Sequence, residues 1–274
     1  MCNLVELDAE LSGTAFAGKL HFARVTGSTN SDAVAAARDG APHGSVFFAD
    51  EQSTGRGRGD HGWISAPGEG LYVSILLRPQ IPARRLPVLP LAAGLAAAEA
   101  IRAVSGLTVD LRWPNDLLIG ERKAGGILVE SQIRSAPADP GRAVSFAVAG
   151  IGINVHQRGF PASLATPATS LDLESGRRIP RQGLLTALLK SLEREVSSLA
   201  DPAGPETSLA RVERTSTWVR GRRVQVHGPQ ACQGVTAGLD RNGFLRVQTP
   251  EGIVTVQTGG LRAAERNQPS AFSR

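Results

Sequence analysis

Gly70-Leu-Tyr-Val-Ser-Ile-Leu-Leu-Arg78 is an almost uninterrupted apolar run, and its length and composition predict a buried β-strand. The next strongly patterned stretch covers residues 90–104 and predicts a buried helix. Its apolar residues fall at helical spacing, at Leu91, Leu95, Ala98 and Ile101. A buried strand followed by a buried helix favours a fold that mixes sheet and helix.

Patterning on both sides of this stretch predicts further elements of the same two kinds. Short apolar runs predict strands at 20–26, 45–49, 107–113, 117–119, 126–133 and 143–155. Helical signals predict an alanine-rich helix that ends near residue 38, and helices at 180–199 and 205–214. The glycine-rich segment 50–62 and the Pro- and Ala-rich segment 133–142 are expected to be loops.

The texture of the sequence changes after Thr217. Four short β-rich runs, at 223–227, 234–239, 244–248 and 253–257, alternate with turns that contain glycine or proline. This pattern predicts a small antiparallel barrel of about 45 residues appended to a larger unit. We therefore place a domain boundary near residue 217.

Composition excludes several classes of protein. The 274 residues include 31 Gly and 17 Pro, which is too many for a helical bundle. The net charge of +5 is spread along the chain and gives only a modest bias towards nucleic acid. The most apolar stretch, 86–101, is too short and too interrupted to span a bilayer, so no membrane partner is expected.

The cysteines and the N-terminus indicate a cellular compartment. Cys2 and Cys232 are far apart, which fits neither a disulfide framework nor a zinc site and suits a reducing cytoplasm. The first ten residues include acids and no apolar run, so no secretory signal is expected. The five histidines lack ligand spacing, and neither a metal site nor a Ser-His-Asp triad is predicted.

Gly55-Arg-Gly-Arg-Gly59 lies between two predicted strands. The dinucleotide-binding fingerprint fails here because its last glycine would fall on Asp60 and no helix follows. What remains is a pair of guanidinium groups, on Arg56 and Arg58, carried by a backbone that can close over a phosphate or carboxylate. A solvated flexible loop is the competing interpretation.

A rigid corner is predicted at Arg112-Trp-Pro-Asn-Asp116. Pro114 keeps Trp113 out of helical angles, so the corner falls at the end of a strand. Asn115 and Asp116 then present an amide and a carboxylate from a fixed frame. An ordinary β-turn explains the same residue types.

Lys123 follows seven residues later, in a chain that has only three lysines beside 27 arginines. The small residues Ala124, Gly125 and Gly126 leave room for a ligand beside it. A lysine ammonium is a compact charge that can follow an oxygen through a reaction. A surface lysine without a catalytic role is the alternative.

Two further motifs combine polar side chains with short local spacing. Ser28-Thr29-Asn30 is explained by a helix cap, and the same hydroxyls and amide can also bind a polar ring. Gly150-Ile-Gly-Ile-Asn-Val155 ends a predicted buried strand with Asn154, and its glycines allow close approach of the backbone.

Taken in order, these motifs resemble the biotin protein ligase family. The first two are Gly27–Asn30 and Glu51-Gln52, the latter followed by the arginine motif Gly55–Gly59 and by Trp63. The others are Arg112–Asp116, Arg122-Lys123 followed by Gly126–Glu130, and Gly150–Val155. The resemblance covers residues 20 to about 262. It implies an α/β (α+β) fold, with a mixed-sheet catalytic domain of the biotin/lipoate ligase type at 18–216 and a C-terminal SH3-like β-barrel at 217–264.

The resemblance also implies a two-step reaction. The carboxylate of biotin would attack the α-phosphate of ATP, with Mg²⁺, to give biotinyl-5'-AMP and pyrophosphate. A lysine of a biotin carboxyl carrier domain of a biotin-dependent carboxylase would then attack this acyl adenylate and release AMP.

The same resemblance assigns roles to residues. The expected biotin-binding residues are Ser28, Thr29, Asn30, Gln52, Arg56, Gly57, Arg58 and Lys123. The expected nucleotide-binding residues are Arg56, Arg58, Trp63, Asn115, Lys123 and Asn154. The expected catalytic residues are Lys123, Asp116, which would orient the incoming carrier lysine, and Arg56.

Three departures from the family pattern are visible. Arg112 stands where Lys is frequent, and Gly125 where Ala is common. Some relatives carry an N-terminal DNA-binding domain, whereas only about 20 residues precede the first motif here, so no sequence-specific DNA binding is expected. A lipoate or octanoate ligase on the same scaffold, or a nucleic-acid-binding module, remain alternatives.

Overall fold

The computed structural model describes residues 3–59, 61–136 and 139–264, and it contains two β-sheets. Strands of the first sheet are β1 (Leu20–Thr26), β2 (Val46–Gln52), β3 (Gly70–Leu77), β4 (Asp110–Arg112), β5 (Asp116–Ile119), β6 (Arg122–Ala136) and β7 (Asp139–Asn154). Their order is β1-β2-β3-β7-β6-β5-β4. The β1–β2 pair is parallel and the other pairs are antiparallel, which confirms the predicted mixed sheet.

Helices cover this sheet. They are α1 (Leu4–Glu10), α2 (Thr29–Arg38), α3 (Val88–Ser105), α4 (Leu171–Ser175), α5 (Arg181–Ser198) and α6 (Gly204–Thr215), with a 3₁₀ turn at Ala83–Arg85. In the described part of the chain, α3 alone passes as a membrane span by length and composition, because the helix continues beyond the stretch 86–101, which is too short by itself, but 61% of it is buried. It packs against α5 and the sheet, as a core helix does.

The structure corrects the loop predicted at 133–142. Strands β6 and β7 continue as a two-stranded ribbon, with Ile133 paired to Val144 and Ala136 to Asp139. Residues 137 and 138 lie outside the described residues. Such a ribbon is held by hydrogen bonds between backbones, so its Pro- and Ala-rich composition gave the wrong signal. The short helices α1 and α4 were also not predicted.

The second sheet is formed by the C-terminal residues. Its strands are β8 (Arg220–His227), β9 (Cys232–Leu239), β10 (Leu245–Thr249), β11 (Gly252–Val256) and β12 (Gly260–Ala263). The order is β11-β10-β9-β8-β12 and every pair is antiparallel, which confirms the four predicted strands and adds a fifth. Over residues 220–263 no pairing of β11 with β12 closes the sheet into a ring.

The two sheets share an apolar core. Leu111 in β4 and Val224 in β8 belong to the same cluster of buried side chains. Trp113 is 3% exposed, and its Nε1 donates a 3.0 Å hydrogen bond to the carbonyl of Gly243 between β9 and β10. The division into domains at 18–216 and 217–264 therefore stays a prediction, because one cluster of buried side chains continues from the first sheet to the second.

Candidate functional site

A cleft of about 780 Å³ opens where the mixed sheet meets the second sheet. Its walls come from the start of α2, the end of β2, the loop after β2, the corner between β4 and β5, and the facing stretches of β6 and β7. All the predicted site residues line it: Ser28, Thr29, Asn30, Gln52, Arg56, Gly57, Arg58, Trp63, Asn115, Asp116, Lys123 and Asn154. The structure thus brings into one place motifs that are far apart in the sequence.

The floor of the cleft is polar and buried. Ser28, Thr29 and Asn30 are each 4% exposed. Ser28 precedes the first residue of α2, yet its hydroxyl makes no capping hydrogen bond. The oxygen Oε1 of Gln52 accepts hydrogen bonds from the Thr29 amide at 2.9 Å and the Thr29 hydroxyl at 3.1 Å. Helix capping therefore does not account for the polar residues of this motif.

Three residues that were given no site role from the sequence complete the floor, although Glu130 ends one of the family motifs. The Ser74 hydroxyl lies 2.8 Å from that of Thr29 and donates to Oδ1 of Asn30 at 2.7 Å. Ser65 accepts a 2.8 Å hydrogen bond from Nε2 of Gln52. Glu130 accepts a 2.7 Å hydrogen bond from Nδ2 of Asn30. Ser74 had a detectable signal, because it is the single serine inside the apolar run of β3.

The loop that carries Arg56 and Arg58, called the arginine loop below, covers one side of the cleft. Its ends are held together, since the Gly57 amide donates to His61 O at 2.7 Å and the Trp63 amide to Gly55 O at 2.8 Å. Nη2 of Arg56 lies 2.7 Å from Oε2 of Glu130. The loop thus has defined partners, which a purely solvated loop would lack.

Arg58 reaches from the same loop to the second sheet. Its guanidinium donates to the carbonyl of Gly259 and to the hydroxyl of Thr258, in the connection between β11 and β12. Burial lowers the pKa of Arg58, and the nearby Asp116 carboxylate acts in the opposite direction. The second sheet therefore supplies part of the wall that holds this arginine.

Lys123 and Asp116 form the charged centre of the cleft. Nζ of Lys123 lies 2.5 Å from Oδ1 of Asp116, while Nη2 of Arg112 lies 2.6 Å from Oδ2. Burial raises the pKa of Asp116, but the charges and hydrogen bonds of Lys123 and Arg112 outweigh it and hold that pKa below its usual range. Asp116 is therefore an ionised partner of Lys123, and its role towards a carrier lysine stays a prediction.

The indole of Trp63 packs against the glycines of the sheet. Nζ of Lys123 lies 5.5 Å from its ring centroid. A Cβ on Gly152 would come within 2.6 Å of the indole, so this glycine is what permits the close approach. The indole Nε1 is buried and has no hydrogen-bond partner among the described residues. The ring therefore lies beside Lys123, and its N–H group is free of any hydrogen bond to the described residues.

Asn115 and Asn154 support the backbone around Lys123. Nδ2 of Asn115 donates to Ile127 O at 2.8 Å, and Nδ2 of Asn154 donates to Thr169 O at 3.0 Å. The peptide bond between Trp113 and Pro114 is cis. In the described ranges no group of three or more His, Cys, Asp or Glu side chains is placed to hold a metal ion.

Comparison with known proteins gives a consistent result. Residues 22–141 match the model of the biotin/lipoate A/B protein ligase family. The chain is 35% identical over 245 residues to the bifunctional ligase/repressor BirA of Bacillus spizizenii, covering 88% of this chain and 73% of that protein. It is 33% identical to the biotin--[acetyl-CoA-carboxylase] ligase of Mycobacterium tuberculosis, covering 86% and 85%.

Solved structures agree with the sequence comparison. The biotin protein ligase of Aquifex aeolicus in complex with biotin and ATP superposes with a TM-score of 0.74 at 28% identity. The superposition covers 90% of this chain and all of the other chain. The shared fold, the level of identity and the order of the site motifs lead to one conclusion: this chain belongs to the biotin protein ligases of the biotin/lipoate A/B protein ligase family.

Proposed function

We propose that this protein is an ATP-dependent biotin protein ligase, which forms biotinyl-5'-AMP and transfers biotin to a lysine of a biotin carboxyl carrier domain. The observation that carries the proposal is the single cleft in which a polar floor, two loop arginines and Lys123 lie together. The relatives named biotin--[acetyl-CoA-carboxylase] ligase favour a carboxylase as the owner of the carrier domain.

The floor of the cleft favours biotin over lipoate or octanoate. The ureido ring of biotin carries two N–H donors and a carbonyl acceptor, whereas a dithiolane or an alkyl chain carries none. Ser28, Thr29, Asn30 and Gln52 offer hydroxyls and amides at this floor. An apolar ligand forms no hydrogen bonds with these groups, and a site built to bind a polar ligand discriminates strongly against an analogue that lacks the polar atoms.

The first half-reaction brings two anions together. A carboxylate oxygen of biotin forms a bond to the α-phosphorus of ATP, and the bond from that phosphorus to the bridging oxygen breaks, so that pyrophosphate leaves with the electron pair. Lys123, Arg56 and Arg58 supply positive charge where the oxygens meet, and fixed charges in a partly dehydrated site stabilise the transition state. We expect Trp63 and Asn154 to contact the nucleotide.

The second half-reaction transfers the acyl group. The neutral amine of the carrier lysine attacks the acyl carbon, the bond from that carbon to the AMP oxygen breaks, AMP leaves with the electron pair, and the amine nitrogen gives up a proton to solvent. Asp116 lies beside Lys123 and is the candidate to orient that amine. Before this step the adenylate must be kept from water, and the arginine loop with its contacts to Glu130 and Thr258 provides a cover.

Magnesium is expected to arrive with the phosphates of ATP. Mg²⁺ often keeps several waters and needs only one or two protein carboxylates beside substrate phosphates. The carboxylate of Asp116 already has Lys123 and Arg112 on its two oxygens. We therefore expect the phosphates of ATP and water to supply most of the ligands of Mg²⁺.

Two further expectations complete the proposal. The wide spacing of the cysteines favours the cytoplasm. Sequence-specific DNA binding is not expected, because the arginines are dispersed along the chain. A footprint on an operator at physiological salt would overturn this expectation, and a steep salt dependence of DNA binding would support the nucleic-acid alternative.

Mass spectrometry of an apo carrier domain tests the function directly. Incubation with this protein, ATP, Mg²⁺ and biotin should add one biotin to a single lysine. Parallel reactions with lipoate and with octanoate should leave the carrier unmodified. Modification by lipoate or octanoate instead of biotin would overturn the proposal.

A further inference from the structure

The segment between α6 and β8 is fastened to strand β4. The Ser216 hydroxyl donates to the carbonyl of Leu111 at 2.5 Å, and the Thr217 amide donates to Oδ1 of Asp110 at 3.0 Å. Trp218 follows and is 2% exposed. Three consecutive residues that lead into the second sheet thus contact the strand that ends at Arg112.

The indole of Trp218 lies against two arginines. The Cζ atom of Arg222 is 3.7 Å from its ring centroid, and that of Arg112 is 5.2 Å away. A guanidinium over an indole is attracted by the negative face of the ring, and more strongly where water is excluded. Because Arg112 is 8% exposed, its contact with the ring helps to hold it in one place.

Both arginines also form ion pairs with residues close to Lys123. Arg112 contacts Asp116, whose other oxygen holds the Lys123 ammonium. Nη2 of Arg222 lies 2.9 Å from each oxygen of Glu121, two residues before Lys123. The Trp218 ring is therefore linked to the lysine on both the side-chain and the backbone side.

We propose that Trp218 is a positioning residue for adenylate formation, which sets the Lys123 ammonium through Arg112 and Asp116 and sets its turn through Arg222 and Glu121. This inference rests on the proposed function of Lys123. The second sheet then contributes to the first half-reaction without placing Trp218 on a reacting atom. A misplacement of about 1 Å in such a group can lower a rate about a hundredfold.

The unpaired indole nitrogen makes a clean test possible. Nε1 of Trp218 is buried without a hydrogen-bond partner among the described residues. Trp218→Phe therefore keeps an aromatic face and loses no hydrogen bond, whereas Trp218→Leu removes the face and keeps an apolar side chain. The reaction to measure is biotin-dependent release of pyrophosphate without a carrier.

The expected result separates positioning from folding. Trp218→Leu should lower the rate of pyrophosphate release by about tenfold to a hundredfold. Calorimetry should still find one biotin per chain, with a smaller change in Kd than in rate, because Ser28, Thr29, Asn30 and Gln52 of the floor lie away from Lys123, at the start of α2 and on β2. Trp218→Phe should keep most of the rate. Equal loss in the Phe and Leu variants, or loss of rate only in proportion to lost biotin-binding sites, would overturn the proposal.

Arg222 provides a second test should Trp218→Leu fail to fold. Arg222→Ala should lower the rate of pyrophosphate release, and Arg222→Lys should restore part of it. Arg220→Ala is the matched control, because Arg220 lies on the same strand and pairs with Glu213 instead. If Arg220→Ala and Arg222→Ala have the same rate, the positioning role is wrong. If the wild type itself releases no pyrophosphate with biotin, the proposed function fails instead.

Discussion

Arg56 and Glu130 form a 2.7 Å ion pair that joins the arginine loop to the floor of the cleft. The same carboxylate oxygen, Oε2 of Glu130, also accepts the 2.7 Å hydrogen bond from Nδ2 of Asn30. The loop and the floor of the cleft therefore share one acceptor. Both charged side chains are partly exposed, at 45% and 33%, so the pair adds little global stability. Its effect should be local.

Replacement of Glu130 by Gln should loosen the loop without unfolding the protein. The amide accepts less strongly and carries no charge for Arg56, so we expect faster hydrogen exchange at 55–62 and faster dissociation of biotin. Glu99→Gln is the matched control, because Glu99 forms a 2.8 Å surface pair with Arg194 on the helical side. If amide hydrogen exchange at 55–62 were identical in the two variants, the contact with Glu130 would not be what holds the loop.

The arginine loop should respond to ligand in the wild-type protein. Its four glycines and its lack of an apolar face favour local opening in the free state. Addition of biotin and ATP should slow amide exchange at 55–62, since Arg56 and Arg58 would then close over the ligands. Exchange that is equally slow with and without ligand would refute this expectation.

Lys123→Ala should fold normally and lose most adenylate formation. Lys123 is 28% exposed at the start of β6, so its removal leaves the core intact. Loss of one charged donor to a developing oxyanion typically costs about a hundredfold to a thousandfold in rate. Pyrophosphate release without a carrier measures this step alone.

Lys123→Arg separates charge from geometry at the same position. It should be partly active, because the wider fork keeps the charge but cannot follow an oxygen from carboxylate to phosphate. Chemically made biotinyl-5'-AMP then tests the second half-reaction by itself. A surface lysine would leave both variants near the wild-type rate, and a normal rate in Lys123→Ala would show that the site assignment is wrong.

Much of the fold and the site was predictable because the signals are local. Apolar runs marked β3 and β7, and helical spacing marked α3 and α5, since each of these elements buries a face of its own. Residues that line the cleft were predictable because they occur in short motifs. The ribbon at 133–136 and 139–142 was not, because it is held by pairing between two segments rather than by a buried face.

The missing parts of the site arise from contacts between distant residues. Trp218 meets Arg112 across more than 100 positions of sequence, and Glu130 meets Arg56 across 74. Contacts between such distant residues leave no periodic pattern of apolar residues in the sequence. Each of these residues alone also fits a simpler role, as a core aromatic or a surface acid, so only the assembled structure reveals the connection.

The ion pair of Asp116 should make stability depend on pH in one direction. The pKa of Asp116 is lowered in the folded protein, so its contribution is present above the ordinary value of about 4 and is lost as the pH falls through the lowered folded pKa. Asp116→Asn should lower the free energy of unfolding by about 2 kcal/mol at pH 7. Urea unfolding of both proteins from pH 7 to pH 3 should show this difference shrinking in acid, whereas a constant difference would contradict the ionised pair.

Alanine substitutions at two glycines of β7 should affect the biotin part and the nucleotide part of the cleft separately. A Cβ on Gly150 would lie 2.1 Å from Oδ1 of Asn30, and a Cβ on Gly152 would lie 2.6 Å from Cε2 of Trp63. Neither glycine has a positive φ, so an alanine there acts through contact and not through backbone strain. Asn30 must move in one variant and the Trp63 indole in the other.

Gly150→Ala should therefore raise the KM for biotin about tenfold or more, and Gly152→Ala should raise the KM for ATP by a similar factor, as for the loss of one good contact in a pocket. Gly183→Ala in α5 is the control, because its Cβ would meet nothing closer than 3.6 Å and the helix favours alanine. Steady-state pyrophosphate release, with each substrate varied in turn, measures both constants. If each alanine raised the two constants equally, the biotin ring and the nucleotide would not occupy separate walls of the cleft, and the assignment of Asn30 and Trp63 would be wrong.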